Sequence, residues 1–131
     1  MDDASPPKWH LAHVTWFFET FLLKPNLKNY RPFNESFEVL FNSYYNGIGE
    51  QFPRSKRGHL SRPTVAETLV YRDYVDEHMN KLLRQDLPEE ILFAVSLGIH
   101  HEQQHQELLF TDIKYNLGHN PLHPAYQRVP T

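Results

Sequence analysis

The stretch Ser-Pro-Pro-Lys-Trp-His-Leu-Ala-His-Val-Thr-Trp-Phe-Phe-Glu-Thr-Phe-Leu-Leu, residues 5–23, predicts the first helix of the chain. Ser5 can cap this helix, and Pro6 suits its first turn, where no N–H partner is needed. Apolar side chains cover nearly the whole circumference of the predicted helix, a pattern typical of a helix buried on all sides. We therefore expect His10 and His13 to lie inside the protein, where each imidazole needs a polar partner.

Three more helices are predicted beyond this stretch, over about 35–48, 64–84 and 88–117. Thr64 and Glu67 fit a capping box at the start of the third helix. Gly118 is expected to end the fourth helix. The apolar stripe of the third helix is expected to contain Leu69, Val75, Met79, Leu82 and Leu83.

Four helices with short links and no strand pattern predict an all-α fold, a helical bundle formed by residues 1–131 as one domain. Metal sites in such bundles are built from inward-facing side chains on neighbouring helices. The face of the fourth helix that carries His105 is expected to include Ala94, Leu97, His101, Leu108 and Asp112.

The composition narrows the classes of function. The chain has no cysteine, which excludes disulfides, thiolate metal sites and a cysteine nucleophile. A net charge of -3 gives no general attraction to nucleic acid or to an anionic membrane. The acidic N-terminus is unlike a signal peptide, and no apolar run is long enough to cross a bilayer. We therefore expect a cytoplasmic protein.

The fourth predicted helix contains His101-Glu102-Gln103-Gln104-His105. Two histidines four residues apart lie about 40° apart on one helix face and can hold one metal ion. A third ligand is expected from another buried helix, and His13 and His10 are the best candidates. Alternatively, the two histidines are buried structural residues without a metal, in a helical protein that binds a partner and has no catalytic activity.

The same five residues also fit the zinc-peptidase pattern H-E-x-x-H, with Glu102 as general base. The rest of that motif is missing. Leu108 and Thr111 stand where the extended motif needs glycine and histidine. No glutamate follows Glu107 to serve as a downstream ligand. The sequence therefore disfavours a peptidase.

Residues 50–63 form a predicted basic loop that contains Arg54, Lys56, Arg57 and Arg62. Its charge alone indicates a solvated loop. Beside a metal site, however, these arginines could bind the carboxylate of a small substrate through paired hydrogen bonds.

Several separated blocks of the sequence resemble one family of metalloenzymes. These are residues 5–13 and 16–21, Leu-Phe-Asn-Ser-Tyr-Tyr (40–45), Arg-Gly-His-Leu-Ser-Arg-Pro (57–63), Tyr-Arg-Asp-Tyr-Val-Asp (71–76) and His-Glu-Gln-Gln-His-Gln-Glu-Leu-Leu-Phe-Thr-Asp-Ile-Lys (101–114). Together they resemble the N-terminal DinB-type domain of the ergothioneine-biosynthesis sulfoxide synthases, or hercynine oxygenases. The resemblance spans about residues 4–126.

The resemblance implies a DinB-like four-helix bundle that holds non-haem iron(II) through His13, His101 and His105. It also implies an oxidoreductase that joins the sulfur of cysteine or γ-glutamylcysteine to the imidazole of hercynine, using oxygen, and forms a sulfoxide. Arg54 and Arg57 match arginines that hold the carboxylate of the sulfur substrate. Gln104 matches a glutamine on the hercynine side.

The family's enzymes carry a second domain, similar to sulfatase-modifying factors, that supplies a catalytic tyrosine, and they usually have a helix before the first block. Neither lies in this sequence. We therefore expect weak iron binding, little sulfoxide-synthase activity, and either self-association or a missing partner domain. The alternative enzyme is a stand-alone DinB-like thiol transferase or isomerase that uses zinc or nickel and does not need oxygen.

Overall fold

The computed structural model describes residues 5–42, 52–53, 56–57 and 60–125. These residues form helix α1 (Pro7–Phe18), a π-helical turn (Glu19–Leu23), a short helix α2 (Lys24–Asn26), α3 (Phe37–Phe41), α4 (Val65–Leu83) and α5 (Glu89–His119). The described ranges contain no β-strand. The predicted all-α class is therefore confirmed.

Helix α1 lies at the centre of the structure and contacts α3, α4 and α5. Its side chains are buried around the circumference, as its apolar pattern predicts. The aromatic and aliphatic core consists of residues from α1 and the π-helical turn, α3 and α4, and includes Trp9, Trp16, Leu22, Phe41, Tyr71 and Leu82. The residues of α1 that face α5 are consequently shielded from water.

The first helical segment differs from its predicted form at both ends. Pro6 is the N-cap residue and no side chain caps α1, so the predicted capping role of Ser5 is wrong. The Ser5 N–H instead donates to Asp112 Oδ2. At the other end the α-helix widens into the π-helical turn, in which the Lys24 N–H donates to the Glu19 carbonyl. Pro25 follows one residue later, and it cannot donate to the preceding turn.

The second predicted helix is described only in part. Within 35–48, the structure assigns helix to Phe37–Phe41. Residues 43–50 lie outside the described residues.

Helix α4 starts as its capping pattern predicts. The Glu67 N–H donates to Thr64 Oγ1 at 3.1 Å, and the Thr64 hydroxyl contacts the Glu67 carboxylate at 3.2 Å. The predicted apolar stripe is wrong at two positions, since Leu69 and Leu83 are 49% and 47% exposed. Thr68 and Tyr71 are buried instead, and together with Val75, Met79 and Leu82 they form the buried stripe of α4.

Helix α5 continues through Gly118 and ends at His119, so the predicted stop at Gly118 is wrong. Only Gly98 and Asp112 of this helix are buried. Leu97 and Leu108, expected on the buried face beside His105, are 50% and 38% exposed. Periodicity gives the angle of a residue on its helix, but the width of the covered strip depends on the neighbouring helix.

None of the helices in the described part of the chain is long and apolar enough to cross a membrane.

At Gly98, α5 packs directly against Phe17 and Phe18 of α1. A Cβ atom there would lie 2.7 Å from Phe18 Cε1 and 3.1 Å from Phe17 Cε1. We expect Gly98→Ala to destabilise the protein by about 1–3 kcal/mol through overpacking. Gly118→Ala is the matched control on the same helix, since its Cβ would meet nothing within 4 Å. Alanine has the higher helix propensity, so this control should stabilise by at most about 1 kcal/mol.

Urea unfolding of the two variants and of the unchanged protein measures both effects. A Gly98→Ala variant as stable as the unchanged protein would contradict the close packing of α1 on α5.

Candidate metal centre

Three histidines from two helices meet at the contact between α1 and α5. His13 lies on α1, and His101 and His105 lie one turn apart on α5. One ring nitrogen from each lies within 4.8 Å of the others, close enough for one ion to bind all three after small side-chain rotations. The structure therefore brings together the three predicted ligands.

His13 is held in a fixed orientation inside the protein. Its Nδ1 forms a hydrogen bond with the Phe41 carbonyl, which can only accept, so Nδ1 carries the proton. Nε2 then carries a lone pair and no proton. The ring stacks on Trp9, with centroids 4.7 Å apart and planes at 9°. A hydrogen bond at one imidazole nitrogen that frees the other for an ion is the usual arrangement around metal-binding histidines.

His101 faces His13 across the helix contact. The two Nε2 atoms are 3.2 Å apart. Two nitrogens bound to one ion at about 2.1 Å each, at tetrahedral or right angles, would be separated by about 3.0–3.4 Å. His101 Nδ1 is buried and has no hydrogen-bond partner among the described residues. A bound ion would let this ring give up its Nε2 proton and carry a proton on Nδ1 instead.

The environment keeps the three imidazoles neutral. Burial lowers the pKa of His13 to about 2, against the opposing effect of the bond to Phe41. Burial, and then repulsion from His101, His10 and Arg57, lowers the pKa of His105 to about 3. Burial also lowers the pKa of His101. Because metal binding requires neutral imidazoles, the cluster fits a metal ion chemically.

The donor set limits the choice of metal only partly. Three imidazole nitrogens suit zinc, iron, nickel and copper, whereas magnesium and calcium prefer oxygen ligands. No carboxylate of the described residues belongs to this group. The cluster therefore fits iron(II) but does not single it out.

His10 and Asp112 extend the site, and the sequence did not reveal their arrangement. His10 Nδ1 lies 3.1 Å from His105 Nδ1, and His10 Nε2 lies 2.7 Å from Asp112 Oδ2. The sequence offered two signals. His10 precedes His13 by one turn, and Asp112 was expected on the face of His105. Helical periodicity could not show that these two residues meet across the contact between α1 and α5.

Glu102 is engaged in an ion pair and is not a metal ligand. Its Oε1 lies 2.7 Å from Nη1 of Arg72, which also contacts Asp76 at 3.0 Å. The pair links α4 to α5 beside His101. Glu102 also lies about 100° around α5 from His101, so its side chain points away from the metal-binding face.

The basic loop is described only in part, and the predicted substrate ligand Arg54 lies outside the described residues. Arg57 is 4% exposed. Its guanidinium lies over the Trp9 ring, 3.5 Å from the centroid, and its Nη1 donates to Ser5 Oγ at 3.0 Å. Trp9 therefore contacts both Arg57 and His13, and Arg57 is buried near the histidines.

Gln104 is exposed on α5. A mostly apolar groove opens between α1 and α5 next to His105, and Gln106 lines it. Gln104 and Gln106 are about 200° apart around the helix, so Gln104 lies on the opposite flank of the histidine pair. Other residues lining the groove are Leu11, Val14, Glu102 and Leu109.

No protein-family model matches the sequence, and no characterised protein matches it either.

We expect the metal-free protein to lose stability as the pH falls below about 6.5, the ordinary pKa of histidine. The unfolded chain then binds a proton at position 13, whereas folded His13 stays neutral to about pH 2. Proton binding at position 13 of the unfolded chain lowers the free energy of unfolding by about 2 kcal/mol at pH 5 and by almost nothing at pH 7. Urea unfolding at the two pH values, with chelator present, measures it.

His13→Gln should reduce this pH dependence. His100→Gln, at an exposed position on α5, should leave it unchanged. Equal pH dependence in the unchanged protein and in His13→Gln would mean that position 13 does not hold a neutral imidazole.

Proposed function

We propose that this chain is the metal-binding domain of a non-haem iron(II) oxygenase, a DinB-like four-helix bundle of the sulfoxide-synthase type. The proposed reaction joins the sulfur of cysteine or γ-glutamylcysteine to an imidazole carbon of hercynine. Oxygen is the oxidant: one of its atoms forms the sulfoxide, and the other leaves as water with the hydrogens of the broken S–H and C–H bonds. The observation that supports a metal site is the group formed by His13, His101 and His105. The substrate part rests on the resemblance of the sequence blocks.

The described residues would hold the metal ion and would determine from which side water and substrates can reach it. Three neutral imidazoles would hold the ion on the contact between α1 and α5, and they would leave its remaining positions open. Iron(II) in such a site supplies binding positions for the thiol, the imidazole substrate and oxygen. Because His13 and Trp9 lie in the core, one side of the site is closed to water. Substrates would approach from the exposed flanks of α5.

Two groups of residues are proposed to bind substrates. Gln104 would contact hercynine from the exposed flank of α5. Arg54 and Arg57 would hold the carboxylate of the thiol substrate. For Arg57 this requires the guanidinium to exchange its hydrogen bond with Ser5 for one with the substrate. Its stacking on Trp9 would keep the charge near the metal during that exchange.

A DinB-like thiol transferase or isomerase is the second candidate. The same three imidazoles favour it, since they suit zinc and nickel as well as iron. This function predicts zinc or nickel in the purified protein and turnover in the absence of oxygen.

Anaerobic titration with Fe(II) tests the metal ligands. Each of His13→Ala, His101→Ala and His105→Ala should weaken binding at least tenfold, because each removes one of three ligands. His100→Ala is the control, since His100 is exposed and lies next to His101 on the same helix. Undiminished binding by His13→Ala would refute the three-histidine assignment. Circular dichroism of each variant would show whether its helices remain intact.

Oxygen consumption by the iron-loaded protein tests the reaction. We expect slow consumption that requires hercynine and a thiol together, with cysteine and γ-glutamylcysteine compared at equal concentration. Omitting either substrate should abolish it. Turnover of a thiol under strictly anaerobic conditions, with zinc or nickel bound, would instead favour the transferase.

A further inference from the structure

A chain of hydrogen bonds runs from the N-terminal segment through α5 and α1 to one of the proposed metal ligands. The Ser5 N–H donates to Asp112 Oδ2 at 3.2 Å. The same oxygen lies 2.7 Å from His10 Nε2. The other nitrogen of His10, Nδ1, lies 3.1 Å from His105 Nδ1. His10 and Asp112 are each 6% exposed, so water has little access to these bonds.

The chemistry of the carboxylate sets the direction of these bonds. An ionised carboxylate only accepts, so His10 Nε2 carries the proton that it shares with Asp112. In a neutral His10 ring, Nδ1 is then a lone-pair acceptor. The contact between the two Nδ1 atoms holds one proton, and when His10 is neutral that proton belongs to His105. The Nε2 atom of His105 is therefore left without a proton.

We infer that His10 and Asp112 are positioning residues that hold His105 in the tautomer with Nδ1 protonated and Nε2 free for a metal ion. The inference deepens the proposed function and rests on its metal site. The bond from His13 Nδ1 to the Phe41 carbonyl has the same consequence for His13. Two of the three imidazoles, those of His13 and His105, therefore have an unprotonated Nε2 before an ion binds.

The arrangement also explains why a second buried histidine lies so close to the cluster. His10 is one turn before His13 on α1, and Asp112 is two turns beyond His105 on α5. Their contact spans the same helix interface as the cluster. It therefore fixes the rotation of the His105 ring from outside the helix that carries it.

The tautomer can be measured without a metal and without a substitution. Long-range ¹H–¹⁵N spectra of the metal-free protein at neutral pH report which imidazole nitrogen is protonated. We expect His105 to be protonated at Nδ1 and His10 at Nε2. Protonation of His105 at Nε2 in the unchanged protein would overturn the inference.

Fe(II) affinity, measured anaerobically against a competing chelator, tests the effect on the site. His10→Phe keeps a ring in the core but offers no acceptor, and it should lower affinity about 10- to 100-fold. His10→Asn places an amide oxygen near the position of Nδ1 and should recover part of that loss. His100→Phe, on the exposed surface of α5, should bind like the unchanged protein.

Three outcomes separate the inference from the proposed function. Weaker binding in His10→Phe with partial recovery in His10→Asn supports the positioning role, provided that both variants unfold at similar urea concentrations. Equal affinity in His10→Phe and His100→Phe overturns it while leaving the metal site intact. If the unchanged protein does not bind Fe(II), the proposed iron site fails, and the spectra still decide the tautomer of His105.

Discussion

The structure depends on the burial of α1 on all sides. This helix is surrounded by α3, α4 and α5, and Ala12, Thr15 and Trp16 on it are completely buried. A polar side chain on such a helix cannot be satisfied by water, and leaving it without a partner would cost a large part of a typical domain's stability. His10 and His13 of α1 therefore constrain the elements that face them.

Two sets of polar contacts fix α1 from opposite directions. Near its C-terminal end, the buried Glu19 carboxylate accepts hydrogen bonds from the hydroxyls of Tyr30 and Tyr71. Burial and this carboxylate together raise the pKa of both tyrosines. Near its N-terminal end, His10 and His13 face α5. Rotating the helix to bury one set better would separate the other set from its partners, so the two sets together specify one register.

The candidate metal centre is a consequence of that register. The His-Glu-x-x-His pattern alone is compatible with a peptidase, in which the glutamate would act on a metal-bound water. Here Glu102 pairs with Arg72 on α4, and the nearest additional imidazoles come from α1. The two α5 histidines thus meet a third histidine from a helix that precedes them by almost 90 residues. Helix α5 also keeps exposed apolar side chains, which include Phe93, Leu97 and Phe110.

The sequence by itself determined the helical class, the burial of α1, the start of α4 at Thr64 and the helix face shared by His101 and His105. These features follow from side-chain periodicity and local capping, which act over a few residues. From the residues alone, the third ligand stayed open between His10 and His13.

Only the tertiary structure shows that these two histidines lie in different positions relative to the cluster. His13 points toward His101 and His105, whereas His10 lies between His105 and Asp112. It also showed that Leu69, Leu83 and much of α5 are exposed, that Ser5 bonds to Asp112, and that Arg57 stacks on Trp9. The reason is physical. Which nitrogen faces which partner, and how much of a helix is covered, depend on the approach of distant segments, and local periodicity carries no information about that approach.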